Sequence, residues 1–385
     1  MKTIYLDHAA TTPIDPRVLS AILPYYESKF GNASSLHWAG REAKEALEKA
    51  RETVASVLNA DRKEIVFTSG GTESDNLAIK GVAYALKGKG RHLITSAIEH
   101  PAVLESFKAL QEEGFKVSYI PVGRDGIVDV GRLEEEVRPD TILISVMHAN
   151  NEVGTIQPIE EIGEIAERNG VCLHTDAVQT MGKLPIDVEK LKVSLLSISA
   201  HKIYGPKGVG ALYVKDGVKI RPILHGGGHE GALRSGTENV PGIVGLSFAA
   251  ETAVREMDET VRKMRSLRDQ LIKGILEQVP GSSLTGHPVK RLPNNAHFCF
   301  QGVEGESLIL TLNEEGIAAS TGSACSSKKK EPSHVLLAMG LDPITAKGSL
   351  RLTLGRWNSE PEIDYTVDAV AKAVEKLRRI SPITH

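Results

Sequence analysis

Cysteine is scarce in this sequence. Its three cysteines, Cys172, Cys299 and Cys325, are far apart and form no CxxC pair. That argues against a disulfide framework or a zinc site and fits a reducing cytoplasm. Long apolar runs are also missing: none approaches the roughly 20 residues of a membrane helix. The start, Met1-Lys2-Thr3-Ile4-Tyr5-Leu6-Asp7, meets an acid before a signal-peptide core can form. Nor is there a surplus of charge. Lys+Arg number 46 against 49 Asp+Glu, a net charge of −3, which leaves no electrostatic footprint for nucleic acid or an anionic membrane. Aromatics make up only 4% of the chain, whereas glycine is plentiful at 36 residues. This balance suits an α/β enzyme with many tight loops. The length of 385 residues exceeds the roughly 250–300 at which single cores stop growing, so two domains are expected.

Apolar runs and helical periodicities alternate along the chain. Ala43, Ala46, Leu47, Ala50, Val54, Val57 and Leu58 recur at helical spacing and predict a helix over 38–59. Strands are expected at 64–68, 92–96, 116–121, 141–147, 171–175, 195–198 and 209–214, with helices at 72–86, 102–113 and 159–169 between them. Such alternation implies a mostly parallel sheet covered by helices on both faces. The pattern changes around Ala249. Val261, Met264, Leu267, Leu271 and Ile275 mark a long amphipathic helix ending at Pro280-Gly281. Strands follow at 296–300 and 350–354, with a helix expected on either side of Gly316. The domain expectation is a large α/β unit over 15–255 and a smaller α+β unit made of 1–14 and 256–385.

Lys202 is the residue that says most. It lies in Ser199-Ala200-His201-Lys202-Ile203-Tyr204-Gly205-Pro206-Lys207-Gly208, between two strand-like runs. An amine at a strand end, beside a hydroxyl and an imidazole, suits a Schiff base that is also anchored through a phosphate. Upstream, Val171-Cys172-Leu173-His174-Thr175-Asp176 is an apolar strand ending in a carboxylate, with Gln179 three residues on. A pyridoxal cofactor needs both, an amine for its aldehyde and an acid for its ring nitrogen. Val66-Phe67-Thr68-Ser69-Gly70-Gly71-Thr72-Glu73-Ser74 runs from a strand through two glycines into a helix. Its free amides suit a phosphate dianion, although Ser/Thr followed by Glu is equally a plain helix cap. His100 and Asn151 fall at two further strand ends, and ligands of open α/β sheets sit beyond such ends.

Taken together, these segments closely resemble a known family, the cysteine desulfurases of the NifS/IscS type. The likeness runs almost end to end. It takes in Tyr5-Leu6-Asp7-His8-Ala9-Ala10-Thr11-Thr12-Pro13, Phe30-Gly31-Asn32-Ala33-Ser34-Ser35 and Thr68-Ser69-Gly70-Gly71-Thr72-Glu73. It continues through Glu99-His100, His148-Ala149-Asn150-Asn151-Glu152-Val153-Gly154, His174-Thr175-Asp176-Ala177-Val178-Gln179 and 199–208. Arg234-Ser235-Gly236-Thr237-Glu238-Asn239 and Ser320-Thr321-Gly322-Ser323-Ala324-Cys325-Ser326 complete it. Gly71 is a small departure, standing where many relatives have alanine, and should only loosen the loop.

The resemblance implies a fold-type I pyridoxal-phosphate-dependent transferase: a large, mostly parallel seven-stranded sheet domain and a smaller α+β domain carrying the Cys325 loop. It implies pyridoxal 5'-phosphate held by Lys202, with Asp176 at the ring nitrogen, Gln179 at the ring hydroxyl and His100 on the ring face. Gly71, Thr72, Ser199 and His201 would hold the phosphate, and Thr237 would reach across a homodimer to the same group. Asn151 and Arg351 would take the substrate carboxylate, with Asn32 nearby. Arg351 has support from the residues themselves: in Leu350-Arg351-Leu352-Thr353-Leu354 the leucines share one strand face and leave Arg351 on the other. A guanidinium fork fits a carboxylate bidentately.

Cys325 distinguishes this reading from an aminotransferase. Small polar residues precede it and Lys328, Lys329 and Lys330 follow, with no helical or strand period, so a loop is expected. Neighbouring lysines favour the attacking thiolate. They either keep the loop solvated or attract an acidic acceptor protein. The expected reaction takes sulfur from L-cysteine, leaves a persulfide on Cys325 and releases L-alanine. The sulfur then passes to an acceptor such as an iron–sulfur scaffold or a thiolation protein. Rival readings are a small-domain aminotransferase, a selenocysteine lyase, and a scaffold role in which Cys325 helps ligate an iron–sulfur cluster shared with a partner. A single cysteine is too few ligands for a cluster unless the partner supplies the rest.

Overall fold

A computed structural model describes residues 3–322 and 332–380. Among them are twelve strands. They are β1 (Ile4–Tyr5), β2 (Ile65–Thr68), β3 (His92–Ser96), β4 (Lys116–Ile120), β5 (Thr141–Ser145) and β6 (Cys172–Asp176). The rest are β7 (Leu195–Ser199), β8 (Gly210–Val214), β9 (Ser282–Leu284), β10 (Asn295–Phe300), β11 (Ile317–Ala318) and β12 (Ser349–Thr353). A seven-stranded sheet has the order β2-β8-β7-β6-β5-β3-β4. Neighbours from β7 to β4 pair in parallel, and β8 runs antiparallel to both β7 and β2. Six of the seven strands therefore point the same way, and their carboxyl ends share one edge. β8 alone reverses because the link Ala200–Val209 is shorter than the dozen or so residues a parallel crossover requires.

Burial explains the composition of these strands. β2, β3, β5, β7 and β8 are buried at every position, so they carry continuous apolar runs rather than alternation. One face is covered by the helices Trp38–Leu58, Ile159–Asn169 and Val240–Arg255, whose Leu47, Val54, Ile162 and Leu246 join a single apolar cluster. The opposite face packs against Gly71–Leu86 and Pro101–Glu112 through Leu77, Val82, Val103 and Phe107. The Trp38–Leu58 helix stops at Asn59, which takes the left-handed conformation at φ 57°; asparagine tolerates this better than most residues.

A separate apolar cluster joins Ile4 and Leu6 to Leu267, Leu271, Phe298, Leu312, Leu352 and Val370. It lies about an antiparallel sheet of order β12-β10-β9 and the parallel pair β1-β11. The amphipathic helix expected through Val261 to Ile275 is Met257–Gln278, preceded by the helix Val240–Arg255 within which Ala249 falls. Directly beyond Gly316 comes β11, and the helical residues expected on that side follow only at His334–Ala338 and Pro343–Lys347. Gly316, at φ 80°, ends the preceding helix Gly305–Glu314, and Ile317 and Ala318 then pair with Ile4 and Tyr5. A partner more than three hundred residues away overrode the local preference.

Candidate active site

The shared carboxyl edge gathers the predicted residues. β2 ends at Thr68, opposite Gly210, which in turn lies opposite Ser199 at the end of β7. Gly70, at φ 148°, turns the chain from β2 into the helix Gly71–Leu86. The first amides of that helix have no intrahelical acceptor and carry the positive end of its dipole. Ser199 lies against this turn: its Cβ is 3.9 Å from where a Gly71 Cβ would stand, and its Oγ is buried with no hydrogen-bond partner. Gly71 does more than loosen the loop. A Cβ there would meet Val178 Cγ2 at 2.8 Å, so the glycine lets the turn after β6 approach closely. Thr72 is exposed. Its neighbour Glu73 accepts from the Ser69 amide and pairs with Arg234 at 2.9 Å, which ties the turn to the segment leading to Thr237.

Past Ser199 a tight 3-10 turn, Ala200–Lys202, presents the lysine. Lys202 Nζ donates to the carbonyls of Ala9 at 2.5 Å and Ala10 at 2.7 Å. His201 shares a 3.1 Å hydrogen bond with the Thr11 hydroxyl through Nδ1, and burial pushes its imidazole down to about 4, with Lys202 and Lys207 adding to the effect. It is therefore neutral at pH 7. Tyr204 is left-handed at φ 65° without being glycine, a conformation that survives only where the surroundings fix it. Its amide donates to the Thr12 hydroxyl, its phenol oxygen accepts from the Arg356 amide, and the Arg356 guanidinium lies 4.0 Å from its ring centroid.

Asp176 ends β6 and accepts from the Val178 amide at 2.9 Å. Burial raises its proton affinity, opposed chiefly by the charge of His100. His100 caps the helix Pro101–Glu112 through Nδ1, and burial in turn lowers its proton affinity. Behind Asp176 lies Asp75, buried and held well above the usual carboxylate range, first by burial and then by the Asp176 charge. Glu99 is also buried and pushed up to about 8. Asp75 and Glu99 thus share a buried acidic cluster with Asp176, and within it the charges of His100 and Lys202 favour the Asp176 carboxylate. Gln179 donates through Nε2 to the Ala9 carbonyl at 2.9 Å, the same oxygen that receives Lys202.

Arg351 is buried, so its strand-face assignment holds although β12 is an edge strand. It donates to the Asn151 and Gly322 carbonyls and pairs with Asp7 at 2.8 Å, while its Nε has no partner. Asn151 thereby joins Arg351 through its backbone. Asn32 and Thr237 are both exposed, and Asn32 Oδ1 accepts from the Ser34 amide. Cys325 and the lysines after it lie outside the described residues. The other two cysteines behave as small hydrophobes: Cys299 is buried and pushed up to about 12, and the Cys172 thiol is likewise raised by burial.

Sequence reading missed three members of the neighbourhood. Asp7 was visible in a motif but not as the partner of Arg351. Asp75 reads as one polar residue in a helix. Lys183, buried beside Lys202, stands alone in the otherwise uncharged stretch 177–186, and that isolation was the available signal.

A doubly covered seven-stranded sheet, a lysine turn at the end of β7, an acid at the end of β6 and a glycine turn with an orphaned buried hydroxyl define the class of fold-type I pyridoxal-phosphate enzymes. The class-V aminotransferase family model matches residues 4–366, and the chain belongs to that family. Cysteine desulfurase IscS of Methanosarcina thermophila is 54% identical over 383 residues, spanning 100% of this chain and 95% of its own. The same-named protein of Dictyoglomus turgidum is 52% identical over 381 residues, covering 99% of this chain and 97% of its own. Among solved structures, a NifS-like protein superposes with a TM-score of 0.92 at 44% identity, covering 97% of this chain and all of its own. SspA in complex with cysteine gives 0.82 at 38% identity, over 93% of this chain and 100% of its own.

Proposed function

We propose that this protein is a pyridoxal-phosphate-dependent cysteine desulfurase. It removes sulfur from L-cysteine, yields L-alanine and carries the sulfur as a persulfide on Cys325. The observation that carries this reading is the Lys202 turn beside Asp176, in a chain half identical over its full length to cysteine desulfurases.

The residues present fit the cofactor. Ser199 offers a buried hydroxyl without a partner, and Gly70 and Gly71 leave amides open at a helix N-terminus. Thr72 and His201 complete the phosphate set, Asp176 suits the ring nitrogen, Gln179 the ring hydroxyl and His100 the ring face. When bound, pyridoxal phosphate supplies an electron sink that acidifies the substrate Cα and weakens its Cβ–S bond. Lys202 releases the Ala9 and Ala10 carbonyls, then takes the Cα proton and returns it nearby. Asp176, whose carboxylate the charges of His100 and Lys202 favour, would hold a proton on the ring nitrogen. Arg351 and Asn151 orient the substrate carboxylate, with Asn32 near the same pocket. The Cys325 thiolate attacks the substrate sulfur: an S–S bond forms, the Cβ–S bond breaks with its electron pair going to carbon, and protonation completes alanine. Cysteine and enzyme thiol thus become alanine and enzyme persulfide, with atoms and electrons balanced.

We also read the active form as a homodimer in which exposed Thr237 meets the phosphate of the second copy. Acceptor proteins, such as an iron–sulfur scaffold, would take up the sulfur in the cytoplasm. Two domains dividing near residue 255 accord with the separate apolar clusters. No helix among the described residues is long and apolar enough to cross a membrane.

The test is to mix purified, cofactor-loaded protein with L-cysteine and measure alanine and protein-bound persulfide in equal amounts during a single turnover. Alanine without persulfide, or neither, overturns the reading. Ser199→Ala should weaken cofactor retention about ten- to a hundredfold, since a hydrogen bond to a charged group contributes about 1.5–3 kcal/mol. Equilibrium dialysis of the cofactor checks it.

A further inference from the structure

Lys183 is a buried cation that the reaction above does not use. It closes the turn after β6, only 8% exposed, and among the described residues no carboxylate lies within 4.0 Å of it. Its Nζ donates instead to two carbonyls, that of Gln179 at 3.1 Å and that of Lys202 at 3.5 Å. Gln179 and Lys202 are the residues assigned to the ring hydroxyl and the aldehyde, and they sit on turns after different strands. One ammonium therefore bridges the backbones of both. Lysines are almost never fully buried unless paired with a charge, and leaving one without a carboxylate is costly.

The groups around it offer no hidden neutralisation. A small cavity brings Lys183 together with Lys202, Tyr204, Glu256 and Arg356. Glu256 is already engaged by Arg17 at 2.6 Å and by Arg356 at 3.3 Å, and Arg356 also pairs with Asp15. From the N-terminal segment His8 faces it, pushed down to about 4 first by burial, with the Lys183 charge adding to the effect. His8 is thus neutral at pH 7.

We propose that Lys183 is a positioning residue for Lys202: it holds the turns after β6 and β7 together and sets a second positive charge beside the Lys202 nitrogen. The inference rests on the function proposed above. Burial, with Lys202 second, pushes the Lys183 amine down to about 7. Below that pH the charged Lys183 repels a proton from Lys202; above it the repulsion fades. Two such groups titrate as a coupled pair, and the curve of each is stretched.

The test is a pH titration of the visible absorption band of cofactor-loaded protein. Wild type should give a curve broader than one proton. Lys183→Met removes the charge and keeps the length, so its curve should narrow to one proton with a midpoint about one unit higher. Lys183→Arg carries a charge that does not titrate, so its curve should narrow with a midpoint at or below that of wild type. If Lys183→Met does not fold, the arginine variant still decides. Curves of unchanged width and midpoint in loaded variants overturn the role of Lys183 and leave the desulfurase reading standing. Failure of wild type to develop any band with pyridoxal phosphate overturns both.

Discussion

Lys202→Ala protein is expected to lose its cofactor on gel filtration and to make alanine from L-cysteine about 10²–10⁴-fold more slowly than wild type. The substitution removes the group that both anchors the aldehyde and moves the Cα proton. The glycine turn and Ser199 remain, so the cofactor still enters through its phosphate but leaves freely. Folding should be nearly unaffected. The Ala9 and Ala10 carbonyls lose one donor, and water can reach the space the side chain vacates. Thermal unfolding should therefore shift little while turnover collapses. Turnover within a few-fold of wild type would show that another amine does the work, and Lys183 would be the first suspect.

Cys325→Ser should separate colour from sulfur transfer. The variant keeps Lys202, Asp176 and the phosphate turn, so its visible band on loading should match wild type. A serine hydroxyl stays protonated near neutrality and is a far weaker nucleophile toward sulfur than a thiolate. Alanine formation should fall to background, and mass spectrometry should find no protein-bound persulfide. The other cysteines cannot substitute, because burial pushes Cys299 up to about 12 and raises Cys172 as well. Full turnover in this variant would end the persulfide relay as a mechanism.

The main sheet could be read from the sequence because its strands are buried on both faces. β3, β5 and β7 appear as short, mostly apolar stretches around Leu93-Ile94, Ile142-Leu143-Ile144 and Leu195-Leu196, separated by helical periodicity, and polar residues beyond those stretches marked the binding edge. Strand direction was less visible. The run Val209 to Val214 looks the same in either direction, and only the short link from Ser199 limits it to antiparallel pairing. Contacts distant in sequence could not be read at all. Lys202 stood out by its setting, yet its acceptors lie 192 and 193 residues away. Arg351 was correctly turned away from the leucines, but its Asp7 partner is 344 residues distant. The strand directly after Gly316 went unread for the same reason, since β1 captures those residues. Tyr204 gives no sequence hint of its positive φ; stacked Arg356 and the Thr12 hydroxyl hold it there.

The pairing of residues 7 and 8 with Arg351 and Thr353 has a consequence for biosynthesis. On the ribosome residues 7 and 8 are made long before the strand that fastens them, which follows more than three hundred residues later. Until then residues 9–12 are held only by the turns that carry Gln179, His201 and Tyr204, and closing so long a loop slows the final fastening. Nascent chains stalled before residue 349 should therefore hold the vitamin more loosely than chains that include this strand.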